Sequence, residues 1–137
     1  RRLATVCLTC SCDGCLKEVR ASGHAAFGKR GHDIVCAAES FLLRTAVDVL
    51  ESGPGGLVLE KAAPRRGQLF FRVVDRGSVS ADRLRCVSDF IRDGMKSLSE
   101  EYPACVAFQE RGESGREAWD GDPSELPLAA FGEWAGD

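Results

Sequence analysis

The chain has 137 residues, 44% of them apolar and 28% charged, with a formal net charge of −3. These totals describe one ordinary globular domain, long enough to bury a core without disulfide or metal staples. They exclude a membrane span, for which no apolar run is long enough, and argue against a nucleic-acid grip, which wants a clustered basic surface.

The opening Arg1-Arg2-Leu3-Ala4 is basic, but the stretch after it alternates and contains cysteines, so it does not read as a signal peptide. Residues 3–12 and 15–22 are expected as two strands around an Asp13-Gly14 hairpin turn. Pairing about that turn puts Ala4, Val6, Leu8, Cys10, Cys12, Cys15, Val19 and Ala21 on one face, with Lys17 an awkward member. Thr5, Cys7, Thr9, Glu18, Arg20 and Ser22 take the other, where Leu16 also falls. Residues 23–32 hold three Gly, two His and two basic residues and read as a mobile loop.

Asp33 is the expected N-cap of a helix running to about Ser52, where Gly53-Pro54-Gly55-Gly56 stops it. Its apolar residues Ile34, Val35, Ala38, Phe41, Leu42, Ala46, Val49 and Leu50 recur at helical spacing. A second strand pair follows at residues 57–61 and 68–74. The unbroken apolar run Leu69-Phe70-Phe71 suggests that its second member is central to the sheet. Residues from Ser80 or Ala81 to Glu101 form a second amphipathic helix, with Leu84, Val87, Phe90, Ile91, Met95 and Leu98 inward, and a short strand at 104–109 ends the pattern. The rhythm strand-strand-helix-strand-strand-helix predicts an α+β domain of two layers, two main helices on a mostly antiparallel sheet. Residues 1–109 make this domain. Residues 110–137 are an acidic extension rich in Gly and Pro, with Trp119, Phe131 and Trp134 isolated in it.

Seven cysteines is a high and odd count. Without a secretion signal it fits reduced thiols in a cytoplasmic protein better than a disulfide framework. Cys7, Cys10, Cys12 and Cys15 form two Cys-x-x-Cys pairs that invite a zinc reading. Only Ser11 separates the pairs, however, and the hairpin sends Cys7 to the opposite face from the other three. No metal or other cofactor is therefore expected. Cys86 on the second helix and Cys105 near the last strand read as packing residues. Lys29-Arg30 and Arg65-Arg66 are small basic spots that read as solvated charge.

The informative stretch is Gly23-His24-Ala25, a glycine-bearing loop, and then Gly31-His32-Asp33-Ile34-Val35-Cys36-Ala37-Ala38-Glu39-Ser40. If Asp33 caps the helix, Cys36 is its third residue, where unpaired N–H groups and the positive end of the helix dipole favour a thiolate. Position alone leaves Cys36 open as a small packing residue or as a nucleophile. It likewise leaves His24, at the end of a strand, and His32, just before the cap, both open as its base.

The ordered Gly-His-Ala, loop and Gly-x-Asp-Ile-Val-Cys-Ala-Ala-x-Ser resembles the ribosomal processing cysteine protease family, and so does the ending Leu98-Ser99-Glu100-Glu101-Tyr102-Pro103. The resemblance covers about residues 3 to 109. It implies a cysteine endopeptidase that removes the N-terminal extension of a large-subunit ribosomal protein, number twenty-seven of that subunit. It further implies Cys36 as nucleophile, His24 as general base, Asp33 and Ser40 as supports, and a substrate loop that includes Gly23, Gly28 and Gly31. His32 falls where the family is variable. A homodimer is implied as well, with an extended peptide, aromatic before the cut, as substrate; composition and charge argue against membrane or direct nucleic-acid partners. Glu39 departs from the family, which usually has a small apolar residue there; a carboxylate three residues from Cys36 would disfavour the thiolate. The competing expectation is a ribosome-associated binding protein with an inactive site.

Overall fold

A computed structural model describes residues 4–22, 30–63 and 68–112, the first four residues of helix α1 by their backbone alone. Two strands, β1 (Ala4–Cys10) and β2 (Leu16–Ser22), lead to helix α1 (Arg30–Ser52). Strands β3 (Val58–Ala62) and β4 (Leu69–Asp75) lead to helix α2 (Ala81–Glu101), and β5 (Val106–Gly112) follows. The strands form one sheet in the order β3-β4-β2-β1-β5. All pairings are antiparallel except β1 with β5, which is parallel. The α+β class and the element order expected from the sequence are those observed, and β4 is an interior strand, paired on both sides.

The hairpin resolves two misfits in the sequence pattern. A register shift at Thr9/Cys10 pairs Thr9 with Glu18 but Cys10 with Leu16, so Lys17 is passed over. Such a bulge changes the side on which the next residue falls. Leu16 thereby enters the core, where it is 1% exposed. The connection is wider than the two-residue turn expected: it spans residues 11–15, with Asp13-Gly14 within it and Cys12 exposed rather than on the core face, and Gly14 is at φ +86°, a left-handed conformation that glycine adopts without a Cβ penalty. Ser11 N–H donates to the Cys15 carbonyl and Gly14 N–H to that of Ser11.

Both helices lie on one face of the sheet. Val6, Leu8, Val19, Ala21, Phe71 and Val106 meet Val35, Leu43, Ala46 and Leu50 of α1 and Leu84, Val87, Ile91 and Met95 of α2 in one core. Burial of side chains of this size stabilises by roughly 1.5–3 kcal/mol each. The helices cross closely where Gly94 faces Leu42: a Cβ at Gly94 would stand 2.8 Å from a Leu42 methyl. The other face of the sheet carries Cys7, Glu18, Arg20 and Phe70. There the Arg20 guanidinium sits 5.2 Å from the Phe70 ring centre and donates to Glu18 at 2.8 Å.

Helix α2 starts where the sequence places it. Ser80 is its N-cap, with extended backbone, and its hydroxyl accepts from the Arg83 N–H at 3.1 Å. Phe90 corrects one expectation, since it is 49% exposed rather than inward. Cys86 corrects another: it is exposed on α2, whereas Cys105 is buried. On α1 the same holds for Ile34, Phe41 and Val49, which are exposed although their spacing is helical. Strand β5 continues to Gly112, three residues past the expected end, paired with Cys10. No helix among the described residues is long and apolar enough to cross a membrane.

Candidate active site

The candidate nucleophile stands near the start of α1, on the element that follows β2. Strand β2 ends at Ser22, which pairs with Thr5, immediately before Gly23-His24 in the sequence. Gly23, His24, Gly28 and Lys29 lie outside the described residues, as do Arg65 and Arg66 and the segment 113–137.

Helix α1 begins at Arg30, four residues before the expected first helical residue, Ile34. Asp33 is therefore not its N-cap, and Gly31 belongs to the helix rather than to a loop. The shift changes the account of Cys36. An α-helix leaves only its first four N–H groups unpaired, and its dipole acts mainly on the first turn. As the seventh helical residue, Cys36 lies past both. Helix-dipole activation of its thiol is correspondingly weaker than a third-position cysteine would enjoy. Side chains on a helix lean toward its N-terminus, which still tilts the Cys36 thiol toward the first turn.

Cys36 is half-buried and packs on the edge of the core. Ser40, one turn on, is exposed. Between them Glu39 turns inward and is only 7% exposed. Its Oε1 is buried without a hydrogen-bond partner. Burial alone raises the carboxyl from its ordinary value to about 7. The direction is legible in hindsight: Val35, Glu39, Leu43 and Ala46 fall at successive intervals of four, four and three, so Glu39 occupies a core position of the apolar stripe.

The other cysteines contrast with Cys36. Burial pushes the Cys7 and Cys10 thiols up, only partly offset by Arg111 beside Cys7 and by Ser88 and Arg92 beside Cys10. Cys12 is exposed, and Cys15 is buried against the start of α2, 3.7 Å from the Ala81 carbonyl. None of the seven is disulfide-bonded. Among the described residues no three His, Cys, Asp or Glu side chains come together as a metal cluster.

A model of the family described as cysteine protease Prp matches residues 4–107. A ribosomal processing cysteine protease Prp from Mycoplasma pneumoniae is 30% identical over 94 residues, which is 69% of this chain and 87% of that protein. An essential ribosomal processing protease Prp from S. aureus, solved with a covalently linked product peptide, aligns with a TM-score of 0.66 and 25% identity, over 79% of this chain and 99% of its own. A crystal structure from Streptococcus mutans shares the fold at a TM-score of 0.68 and 24% identity, covering 81% of this chain and 96% of that one.

Fold, helix-borne cysteine and sequence match together define a cysteine protease. More particularly, the chain belongs to the cysteine protease Prp family.

Proposed function

We propose that this protein is a cysteine endopeptidase that removes the N-terminal extension of large-subunit ribosomal protein number twenty-seven. The observation that carries the reading is Cys36, half-buried near the start of α1, the helix that follows β2 in the chain, in a member of this protease family. The M. pneumoniae relative is a ribosomal processing protease, and S. aureus relatives were solved with a substrate peptide and with a covalently linked product peptide.

In this reading Cys36 Sγ attacks the scissile carbonyl carbon, and its proton passes to His24. The tetrahedral intermediate collapses as His24 gives that proton to the leaving amine, and water activated by His24 hydrolyses the thioester. The oxyanion donors we assign are N–H groups of the first turn of α1, toward which the Cys36 side chain leans although Cys36 itself stands in the second turn. Asp33, Ser40 and the glycines Gly23, Gly28 and Gly31 support the site. Among the described residues β3 pairs only with β4, leaving one edge on which an extended peptide can add as a strand.

We assign the protein to the cytoplasm as a homodimer without metal or other cofactor. The apolar side chains that α1 and α2 leave outward, Phe41 at 73% and Phe90 at 49% exposed, suit a second copy.

The test is incubation with the ribosomal protein precursor, read by mass spectrometry beside Cys36→Ala. Loss of the extension with the wild type and not with the variant is expected. Unchanged cleavage by Cys36→Ala overturns the assignment. No cleavage by either, with Cys36 no more reactive than the other cysteines, favours a ribosome-associated binding protein instead.

A further inference from the structure

Three facts meet at one turn of α1. Glu39 is three residues after Cys36, a spacing that puts the two side chains next to each other on a helix. It points into the core, 7% exposed, on the same stripe as Val35 and Leu43, which are fully buried. Its Oε1 has no hydrogen-bond partner. A carboxylate buried without a donor or a cation is costly, so such a group is held neutral until the pH forces it to ionise.

Among the described residues no compensating charge faces Glu39, and burial is the whole cause of its shift. From α2 the residues turned inward at this level, Ile91 and Met95, are apolar and fully buried, while Asp93 and Lys96 are exposed. Arg92 is committed to Glu110 and Asp89. On the helix-bearing face of the sheet the charged groups are Glu110, held by Arg92, and Lys61, held by Glu51 at the far end of α1. The thiols on that side are Cys10 and Cys15, near the hairpin turn, and Cys105 at the start of β5. On α1 itself the ionisable neighbours are Cys36 and, five residues on, the half-buried Arg44. The side chains of His32 and Asp33, like His24 and Lys29, lie outside the described residues.

We propose that Glu39 is a positioning residue that tunes the nucleophile: as a neutral acid it leaves Cys36 free to ionise, and as a carboxylate it holds Cys36 back as a thiol. The inference rests on Cys36 being the nucleophile. Two unit negative charges about 6 Å apart, even at an effective dielectric well above 20, shift a thiol equilibrium by roughly tenfold or more. The pair therefore titrates as a unit, with macroscopic values that belong to both groups. The consequence is a protease whose thiolate gains less from rising pH than an isolated cysteine would.

The experiment measures iodoacetamide alkylation of Cys36 from pH 5.5 to 9, by peptide mass mapping, in the wild type, Glu39→Gln and Glu39→Ala. Both variants remove the charge, and the second restores a small apolar residue. Both are expected to move the alkylation midpoint down by about one pH unit and to raise the rate several-fold at pH 8, with little change at pH 5.5. The pH profile of kcat/KM on the precursor should shift in the same sense. Superimposed profiles of wild type and both variants overturn the proposal. So does a shift in Glu39→Ala alone, which would trace the effect to side-chain bulk. Cys36→Ala, assayed in parallel, separates the two ideas. If it still cleaves, the nucleophile assignment has failed; if it is inactive while the profiles superimpose, only the role of Glu39 has failed.

Discussion

The two helices share a layer and a core yet are built differently. Helix α2 has a Ser80 cap, a continuous buried stripe of Leu84, Val87, Ile91 and Met95, and its ionic groups at the surface. Helix α1 has a half-buried cysteine in its second turn, a carboxyl in its buried stripe, and Ile34 and Phe41 facing outward. Helix α2 also leaves Phe90 outward and buries Ser88, but the Ser88 hydroxyl donates to the Leu84 carbonyl, whereas Glu39 Oε1 has no partner. Departures from local rules concentrate where a chain does chemistry. That unsatisfied carboxyl sets apart α1, the helix that carries the proposed nucleophile.

The comparison can be broken at several points. The largest effect is expected at the proposed base: His24→Ala should lower precursor cleavage about 10²- to 10⁴-fold, while His32→Ala should stay within a few-fold, both read from initial rates. Equal losses would reopen the choice between the two histidines. On the supporting helix, Ile91→Ala empties a fully buried site and should cost about 2–5 kcal/mol in urea unfolding.

Glu39→Gln should remove a pH dependence of stability. A carboxyl with its folded value near 7 keeps its proton to higher pH than the unfolded chain, whose ordinary value is 4.5. The stability it contributes is full below pH 4.5 and is lost as pH rises through 7. In the wild type this amounts to about 3 kcal/mol at most. Urea midpoints at pH 4.5 and 8 should therefore differ less in the variant than in the wild type. The smallest effect is Ser80→Ala, which leaves one N–H of α2 without its acceptor and should cost about 1 kcal/mol with cleavage intact.

Most of the fold was legible because its signals are local. Asp13-Gly14 marked the hairpin, Ser80 the start of α2, and the run Leu69-Phe70-Phe71 an interior strand. What was not legible depends on tertiary packing. The bulge that buries Leu16 and passes over Lys17 is a matter of strand pairing, invisible to a simple alternation. Phe41 and Phe90 look like core residues by type, and only the packing of α1 on α2 leaves them outside. For the site, Cys36 was singled out by family resemblance, not by position, and its role stays a proposal. The helix start was misplaced because Asp33 is a good capping residue standing inside a helix that begins at Arg30. The inward direction of Glu39 was available in its spacing from Val35 and Leu43 but was masked by the expectation that a glutamate faces water.

The central claim is that Cys36, on α1, is the reactive thiol of this chain. Its most direct test is a time course of iodoacetamide labelling at neutral pH, with all seven cysteines followed by peptide mass mapping. Half-buried Cys36 is expected to label fastest, ahead of the exposed Cys12 and Cys86 and well ahead of the buried Cys7 and Cys10. Labelling that simply follows exposure, with Cys12 and Cys86 first and Cys36 behind them, would contradict it.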